Sequence, residues 1–263
     1  MNINIDHIKA VVTGASTGIG LAMTHALLLH GATVALSARP SEKLNRVVDE
    51  LNEKGLKAFA LPMDVRDENM IEEAVGWVAD NWGRIDLLVN NAGLMMHKVN
   101  PDFFSSPEPF FKLSPNEFRD AIDTNLTGYF LVSRGFVPLM IDQGEGRIVN
   151  ISTSLSTMTR KGFAPYGPSR AGSEALSKVM TADLEEFGIM VNVLLPGGAV
   201  NKGIYASDTE DFSKFPIQLL DIEIMKDPIL FLASPQANGM TGERIIAKEF
   251  HAWLKEKGIV LPA

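Results

Sequence analysis

The chain has 263 residues, of which 46% are hydrophobic, a length and core content that fit one large α/β domain and exclude a disordered polymer. A formal net charge of −8 argues against nucleic-acid binding by phosphate neutralisation, and the absence of cysteine excludes disulfides, thiolate catalysis and thiolate metal sites. No basic segment leads into an apolar core between Met1 and Lys9, and no stretch reaches about 18 uninterrupted apolar residues; neither a signal peptide nor a membrane span is expected, and the expected location is cytoplasmic.

The elements alternate. Ile8 to Thr13 reads as a short buried strand and Ile19 to His30 as a helix that Gly31 stops with a left-handed cap. Ala32 to Ala38 is a second strand, followed by a helix from Ser41 to about Lys54 and a third strand from Leu56 to Leu61. Asp67 caps the next helix, whose Ile71, Ala74, Val75, Val78 and Trp82 form an apolar stripe. Ile85 to Val89 is almost wholly apolar, as a strand buried on both faces should be. Ser114-Pro115-Asn116-Glu117 reads as a capping box with proline at the first helical position. Arg147 to Ser152 and Met190 to Leu195 are two more strands, separated by a helix from Tyr166 to Phe187. Six strand–helix alternations predict a Rossmann-like, doubly wound parallel sheet in a three-layer α/β/α single domain spanning residues 1–263. Two long segments escape the alternation, at about 94–113 and 203–228. Both follow strand C-terminal ends, where ligands bind in such sheets.

Thr13-Gly14-Ala15-Ser16-Thr17-Gly18-Ile19-Gly20 lies between the first strand and its helix. Glycines there let the backbone turn tightly and bring its N–H groups and the helix N-terminus onto a pyrophosphate. The spacing is G-x-x-x-G-x-G rather than G-x-G-x-x-G. Asn90-Asn91-Ala92-Gly93 ends the fourth strand, either as a polar turn or as amides tying strands together below a cofactor. Asn125 falls within a helical pattern, an unfavourable place for asparagine, so it is either solvent-facing or a buried polar group. Tyr166 and Arg170 share one helix face at an (i, i+4) spacing. A phenol beside a cation, downstream of the glycine loop, points to proton transfer beside a bound dinucleotide.

Taken in order, Thr13-Gly14-x-x-x-Gly18-x-Gly20, Asp64-Val65, Asn90-Asn91-Ala92-Gly93, Asn125, Tyr166-x-x-x-Arg170 and Pro196-Gly197 resemble the short-chain dehydrogenase/reductase family across roughly residues 8–200. The resemblance implies NAD(P)-dependent interconversion of a carbonyl and a secondary alcohol by an Asn–Ser–Tyr–Lys set. Carried over, Tyr166 is the acid in reduction and the base in oxidation, and Asn125 supports the network. Gly14, Ser16, Thr17, Gly18, Ile19, Gly20, Asp64, Val65, Asn91, Ala92, Gly93, Tyr166, Arg170, Pro196 and Gly197 fall at cofactor-binding positions, Asp64 at the one that contacts adenine.

Three positions depart from the family pattern. Arg170 stands where the family has lysine. Lowering a phenol's pKa from about 10 to about 7 takes roughly 4 kcal/mol, which a cation about 4 Å away supplies at an effective dielectric near 20. Charge therefore permits the replacement, but arginine is a wide, permanently protonated fork that positions groups without relaying protons. Cofactor binding should survive, turnover should fall, and Arg170→Lys should raise the rate. The family's serine position holds Thr153, with Ser154 beside it; either hydroxyl can bond a substrate carbonyl, and Thr153 ranks first. After Pro196-Gly197, the family's nicotinamide-contacting threonine is replaced by Asn201 or Lys202.

Ser37-Ala38-Arg39 at the end of the second strand carries no carboxylate, and Arg39 can pair with a 2′-phosphate, which resembles the NADP-preferring pattern, with NAD as the alternative. No metal-ligand spacing such as H-E-x-x-H, nucleophile elbow or Walker loop is present. Phe103, Phe104, Phe110 and Phe111 form either an apolar substrate lid or a local mini-core. The expected partners are a small carbonyl or alcohol substrate, of apolar character, and further copies of the chain in a homodimer or homotetramer. The rival expectation is a dinucleotide-binding sensor or oligomer partner with little catalysis.

Overall fold

Alternating placement of apolar residues on opposite faces of each strand builds this protein from the inside out. The computed structural model describes residues 3–201 and 218–261. Strands β1 (Lys9–Thr13) and β2 (Thr33–Ala38) flank helix α1 (Gly18–Leu29). Helix α2 (Glu42–Glu53) starts at Ser41, whose hydroxyl accepts from the Leu44 N–H, and leads to β3 (Lys57–Pro62). Helix α3 (Glu68–Trp82) starts on the Asp67 carboxylate, which accepts from the Asn69 and Met70 N–H groups, and stops on Gly83 at φ 66°.

After β4 (Leu87–Asn90) come a single turn, α4 (Met96–Val99), and α5 (Pro115–Ile122), which opens with the reciprocal Ser114–Glu117 capping box. A π-turn at Asp123–Thr127 joins α5 to α6 (Gly128–Gln143). Strand β5 (Gly146–Ile151), the turn α7 (Leu155–Met158), helix α8 (Tyr166–Leu184) and strand β6 (Ile189–Leu195) follow. The short strands β7 (Val200–Asn201) and β8 (Leu220–Asp221) pair with each other, and α9 (Lys226–Ala233), β9 (Arg244–Ile246) and α10 (Phe250–Glu256) complete the order.

The main sheet runs β3-β2-β1-β4-β5-β6-β9, every pairing parallel. Ala10 and Val12 of β1 face α1, α9 and α10, whose Met23, Leu27, Ile229, Phe231 and Phe250 are buried with them. Val11 faces the other way, onto Ile71 and Val78 of α3, Phe136 of α6 and Met180 of α8. This is the expected doubly wound, three-layer arrangement. The strand order reverses between β1 and β4, so Thr13 and Asn90 flank the crevice where such sheets bind ligands.

Three expectations change. The sheet has a seventh strand, β9, in register with β6 through Val193 and Arg244. The fourth strand begins at Leu87 rather than Ile85, because the Gln143 side chain takes both the N–H and the carbonyl of Ile85. The segment 94–113 is not an unbroken loop but contains α4 and a 3₁₀ turn at Phe110–Lys112. Of the second long segment, 203–217 lies outside the described residues, and residues 218–228 supply β8 and the start of α9.

Candidate active site at the sheet's switch point

The glycine loop is fastened to the end of β4 from both sides. Thr13 Oγ1 donates to the Val89 carbonyl (3.2 Å) and accepts from the Asn91 and Ala92 N–H groups (2.9 and 3.0 Å). Asn91 Nδ2 donates to the Thr13 and Gly14 carbonyls (2.8 and 3.2 Å). Gly14 and Gly18 hold positive φ (65° and 57°), where a side chain would be strained. At Gly20 any Cβ would collide with the Gly14 carbonyl and the Asn91 amide. The loop thus opens into α1 with Thr17 at the N-cap, without a side-chain cap or an acidic residue in the first turn. Ser16, Thr17 and Ile19 are all half-buried along that entry. Free N–H groups and a positive helix end suit a pyrophosphate, so these residues fit a dinucleotide.

Asn90 lies deeper. Its Nδ2 donates to Asn150 Oδ1 (2.8 Å) on β5 and Ser133 Oγ (2.9 Å) on α6, so this amide does tie strands together. At the outer edge, the Asp64 carboxylate is held by Arg66 Nε and Nη2 (3.0 and 2.7 Å). That hydrogen-bonded pairing keeps Asp64 below its ordinary carboxylate pKa, with Arg39 as a further, smaller cationic influence. Arg39 is exposed. Val65 packs against Gly128, where a Cβ would come within 2.8 Å of Val65 Cγ2. Sequence reading missed Arg66, although Asp-Val-Arg places a cation two residues after the candidate carboxylate.

Asn125 is fully buried within the π-turn, which settles its two alternatives. Its Oδ1 accepts from the Leu94 N–H (2.7 Å), while Nδ2 donates to the Leu94 carbonyl (3.1 Å) and to Ser169 Oγ (2.9 Å). Ser169 in turn donates to the Tyr166 carbonyl (2.8 Å). One amide therefore joins the chain leaving β4 to the first turn of α8. π-turns widen a helix and concentrate at functional sites.

Tyr166 and Arg170 do share one face of α8, and both are buried. The Arg170 Cζ lies 5.3 Å from the Tyr166 ring centroid and 5.5 Å from that of Tyr129 on α6. Its Nη1 donates to Tyr129 Oη (2.7 Å) and to the Ile151 carbonyl (2.9 Å) at the end of β5. Nη2 presses on Gly93, where a Cβ would collide with it. Burial would lower the Arg170 pKa, but the oxygens of Tyr129 and Tyr166 hold it above its ordinary value, so the group stays charged. Burial pushes the Tyr129 phenol up, against the pull of Arg170. Tyr129 and Ser169 were not foreseen; no local pattern marks either.

The two candidate hydroxyls differ in their commitments. Ser154 Oγ caps α7, accepting from the Thr157 N–H (3.2 Å) and bonding Thr157 Oγ1 (2.7 Å). Thr153 is held through its backbone, its carbonyl accepting from Arg244 Nη2 (2.8 Å). At the end of β6, Gly197 sits at φ 92°, with Lys248 N–H donating to the Pro196 carbonyl (3.1 Å). Asn201 is exposed in β7, and Lys202 lies outside the described residues.

The four phenylalanines divide. Phe103 packs with Met96, Phe163 and Tyr166, Phe104 lies against this cluster, and Arg160 stands over the Phe163 ring at 5.1 Å. Phe110 and Phe111 are exposed. The mini-core reading therefore holds for the first pair. Among the described residues no cluster of three or more His, Cys, Asp or Glu could hold a metal. No helix there is long and apolar enough to cross a membrane.

Comparison with known proteins agrees with this geometry. A family model described as short chain dehydrogenase matches residues 9–209. Gluconate 5-dehydrogenase of Gluconobacter oxydans is 34% identical over 189 residues, 72% of this chain and 70% of the relative. The 3-oxoacyl-(acyl-carrier-protein) reductase FabG of Staphylococcus epidermidis is 32% identical over 244 residues, covering 90% of this chain and 96% of the relative. The crystal structure of a gluconate 5-dehydrogenase from Burkholderia cenocepacia in complex with NADP and tartrate superposes with a TM-score of 0.80 at 25% identity, covering 95% of this chain and 97% of that one.

Proposed function

The chain belongs to the short-chain dehydrogenase/reductase family of oxidoreductases, and on that premise we propose an NADP(H)-dependent enzyme that interconverts a ketone and a secondary alcohol, with Tyr166 as acid and base. The observation that carries this reading is the placement of Arg170 beside the Tyr166 ring and against Gly93, at the end of the strand that flanks the glycine loop. Gly14, Ser16, Thr17, Gly18, Ile19 and Gly20 hold the pyrophosphate, and Arg39 pairs with the 2′-phosphate, for which Ser37 leaves no competing carboxylate. Asp64 and Val65 border the adenine. Asn91, Ala92, Gly93, Pro196 and Gly197 line the path toward the reacting end. The NADP bound by the Burkholderia relative supports this choice of cofactor.

Bound NADPH supplies a hydride to the carbonyl carbon. The chain's own residues manage the oxygen. Thr153 donates a hydrogen bond to it, and Ser154 shapes the adjoining turn. Tyr166 delivers the proton as the carbonyl electron pair localises on oxygen, giving the alcohol. Arg170 steadies the phenolate left behind, through charge alone, because a guanidinium does not pass protons at neutral pH. Asn125 keeps the Leu94 backbone and the first turn of α8 in fixed relation. Oxidation runs the same steps backward. The exposed Phe130 on α6 and Val179 on α8 support assembly into a homo-oligomer.

Purified protein mixed with NADPH and a panel of ketones should consume NADPH with at least one of them. Tyr166→Phe should lower that rate by about 10²- to 10⁴-fold while leaving NADPH binding in place. NADPH binding without consumption, unaffected by Tyr166→Phe, would favour the rival reading of a dinucleotide sensor. The full commitment of Arg170 Nη1 to Tyr129 and Ile151 is what keeps that rival in contention.

A further inference from the structure

The Arg170 side chain closes a triangle that a lysine could not close in the same way. Nη1 donates to both Tyr129 Oη (2.7 Å) and the Ile151 carbonyl (2.9 Å), and Tyr129 Oη donates to that same carbonyl (3.0 Å). The guanidinium carbon stands over two phenol rings, 5.5 Å from the Tyr129 centroid and 5.3 Å from that of Tyr166. Its far nitrogen is stopped by Gly93. Arg170 and Tyr129 are 3% and 1% exposed, so solvent screens neither.

We propose that Tyr129 is a positioning residue that makes arginine workable at position 170: its hydroxyl and the Ile151 carbonyl fix the guanidinium beside Tyr166, and the two side chains act as one unit. This rests on the acid/base role proposed for Tyr166. A guanidinium has donors to spare for two fixed acceptors and still presents its charge to a neighbour. A lysine ammonium is a smaller, strongly hydrated point charge on a flexible stem. In this setting the Tyr129 oxygen and the Ile151 carbonyl, both acceptors, would capture it away from Tyr166. The expectation that Arg170→Lys raises turnover therefore reverses: lysine alone gives no gain, and lysine becomes useful only once the Tyr129 hydroxyl is gone.

Among the described residues few other groups face Tyr166. Within α8 the charged neighbour is Arg170, and Glu174 is tied to Ser152 and Arg244. From α6 comes Tyr129. From α4, His97 follows Met96 in the cluster around the Tyr166 ring, and from the chain before α8, Arg160 stands over Phe163. Burial raises the pKa of the Tyr129 phenol, against the pull of Arg170.

The test is ultraviolet titration of tyrosinate in the full chain, with and without NADPH, alongside steady-state kinetics. The chain has three tyrosines, so Tyr166→Phe identifies the Tyr166 signal by difference. Tyr129→Phe keeps the ring and removes the hydroxyl. It should move the Tyr166 transition and the basic limb of kcat for ketone reduction to higher pH, and lower kcat about tenfold with the KM for NADPH within about twofold. Tyr129→Phe with Arg170→Lys should turn over faster than Arg170→Lys alone. A folded Tyr129→Phe protein whose titration and kcat profile match the wild type would overturn the proposal, leaving Tyr129 as core packing. Should Tyr129→Phe not fold, Arg170→Lys decides alone, and a tenfold gain in kcat overturns the proposal. Wild-type protein without NADPH-dependent turnover would instead sink the reductase reading, and the titration would still judge the Tyr129–Arg170 unit.

Discussion

Glu174 and Arg244, seventy residues apart, meet at the end of β5: Arg244 Nε donates to both carboxylate oxygens of Glu174 at 3.1 and 2.9 Å. The same carboxylate accepts from Ser152 Oγ at 2.6 Å, and Arg244 Nη2 reaches the Thr153 carbonyl at 2.8 Å. The last strand of the sheet is thus tied to the residue proposed to bond the substrate oxygen. This gives β9 a role beyond extending the sheet.

Glu174→Gln keeps the shape and removes the charge that Arg244 faces. Leaving a mostly buried cation without its partner costs about 3 kcal/mol, so the melting temperature should fall. If the clasp positions Thr153, kcat should drop about tenfold while the KM for NADPH holds, and Glu174→Asp should recover part of the loss. Equal loss in both constants would mean that the clasp serves stability alone.

Arg39→Ala tests the cofactor preference. Arg39 is exposed and offers a planar cation to a 2′-phosphate. Loss of that contact should weaken NADPH binding about tenfold, or roughly 1.4 kcal/mol, and leave NADH binding as it was. Fluorescence titration of the two cofactors separates these cases. Parallel weakening of both would refute a specific contact with the 2′-phosphate.

The Asp64–Arg66 pair predicts an acid-side contribution to stability. Its hydrogen bonds hold the folded Asp64 carboxyl below its ordinary value of 3.8. The folded state therefore binds the proton less readily than the unfolded one. The stabilisation is fully present above about pH 4 and is lost as pH falls through the depressed folded value. With Arg66 partly exposed, the pair is worth at most about 1 kcal/mol. Denaturation of wild type and Asp64→Asn should differ by that amount at pH 7 and converge in acid. A gap that stays constant with pH would show that the carboxylate is not the source.

Local chemistry made most of this architecture readable. The Ser114 capping box, the Asp67 cap and the Gly31 stop each lie where side-chain oxygens or a glycine meet orphan helix groups, and the structure forms all three. Six strands were visible as apolar runs. The seventh, Arg244–Ile246, is only three residues long, too short to show a period. The candidate site divides the same way. Asn125 and the Tyr166–Arg170 spacing carry a local signature, whereas Tyr129 lies 41 residues from Arg170 and Ser169 lies 44 from Asn125. Such partners are chosen by how α6 and α8 cross the sheet, and helical periodicity does not encode that meeting. Glu174 lies within the expected Tyr166–Phe187 helix, and only the placement of β9 brings Arg244 beside it.

The most direct measurement follows the hydrogen itself. NADPH deuterated at the transferring carbon of its nicotinamide is incubated with the wild-type protein and a ketone that it consumes, and the product is examined by mass spectrometry. The account predicts one deuterium on the carbinol carbon, none in controls without protein, and a rate that collapses in Tyr166→Phe while the label's position is unchanged. Bound NADPH with no labelled alcohol from any ketone, or full labelling at the wild-type rate in Tyr166→Phe, would contradict it.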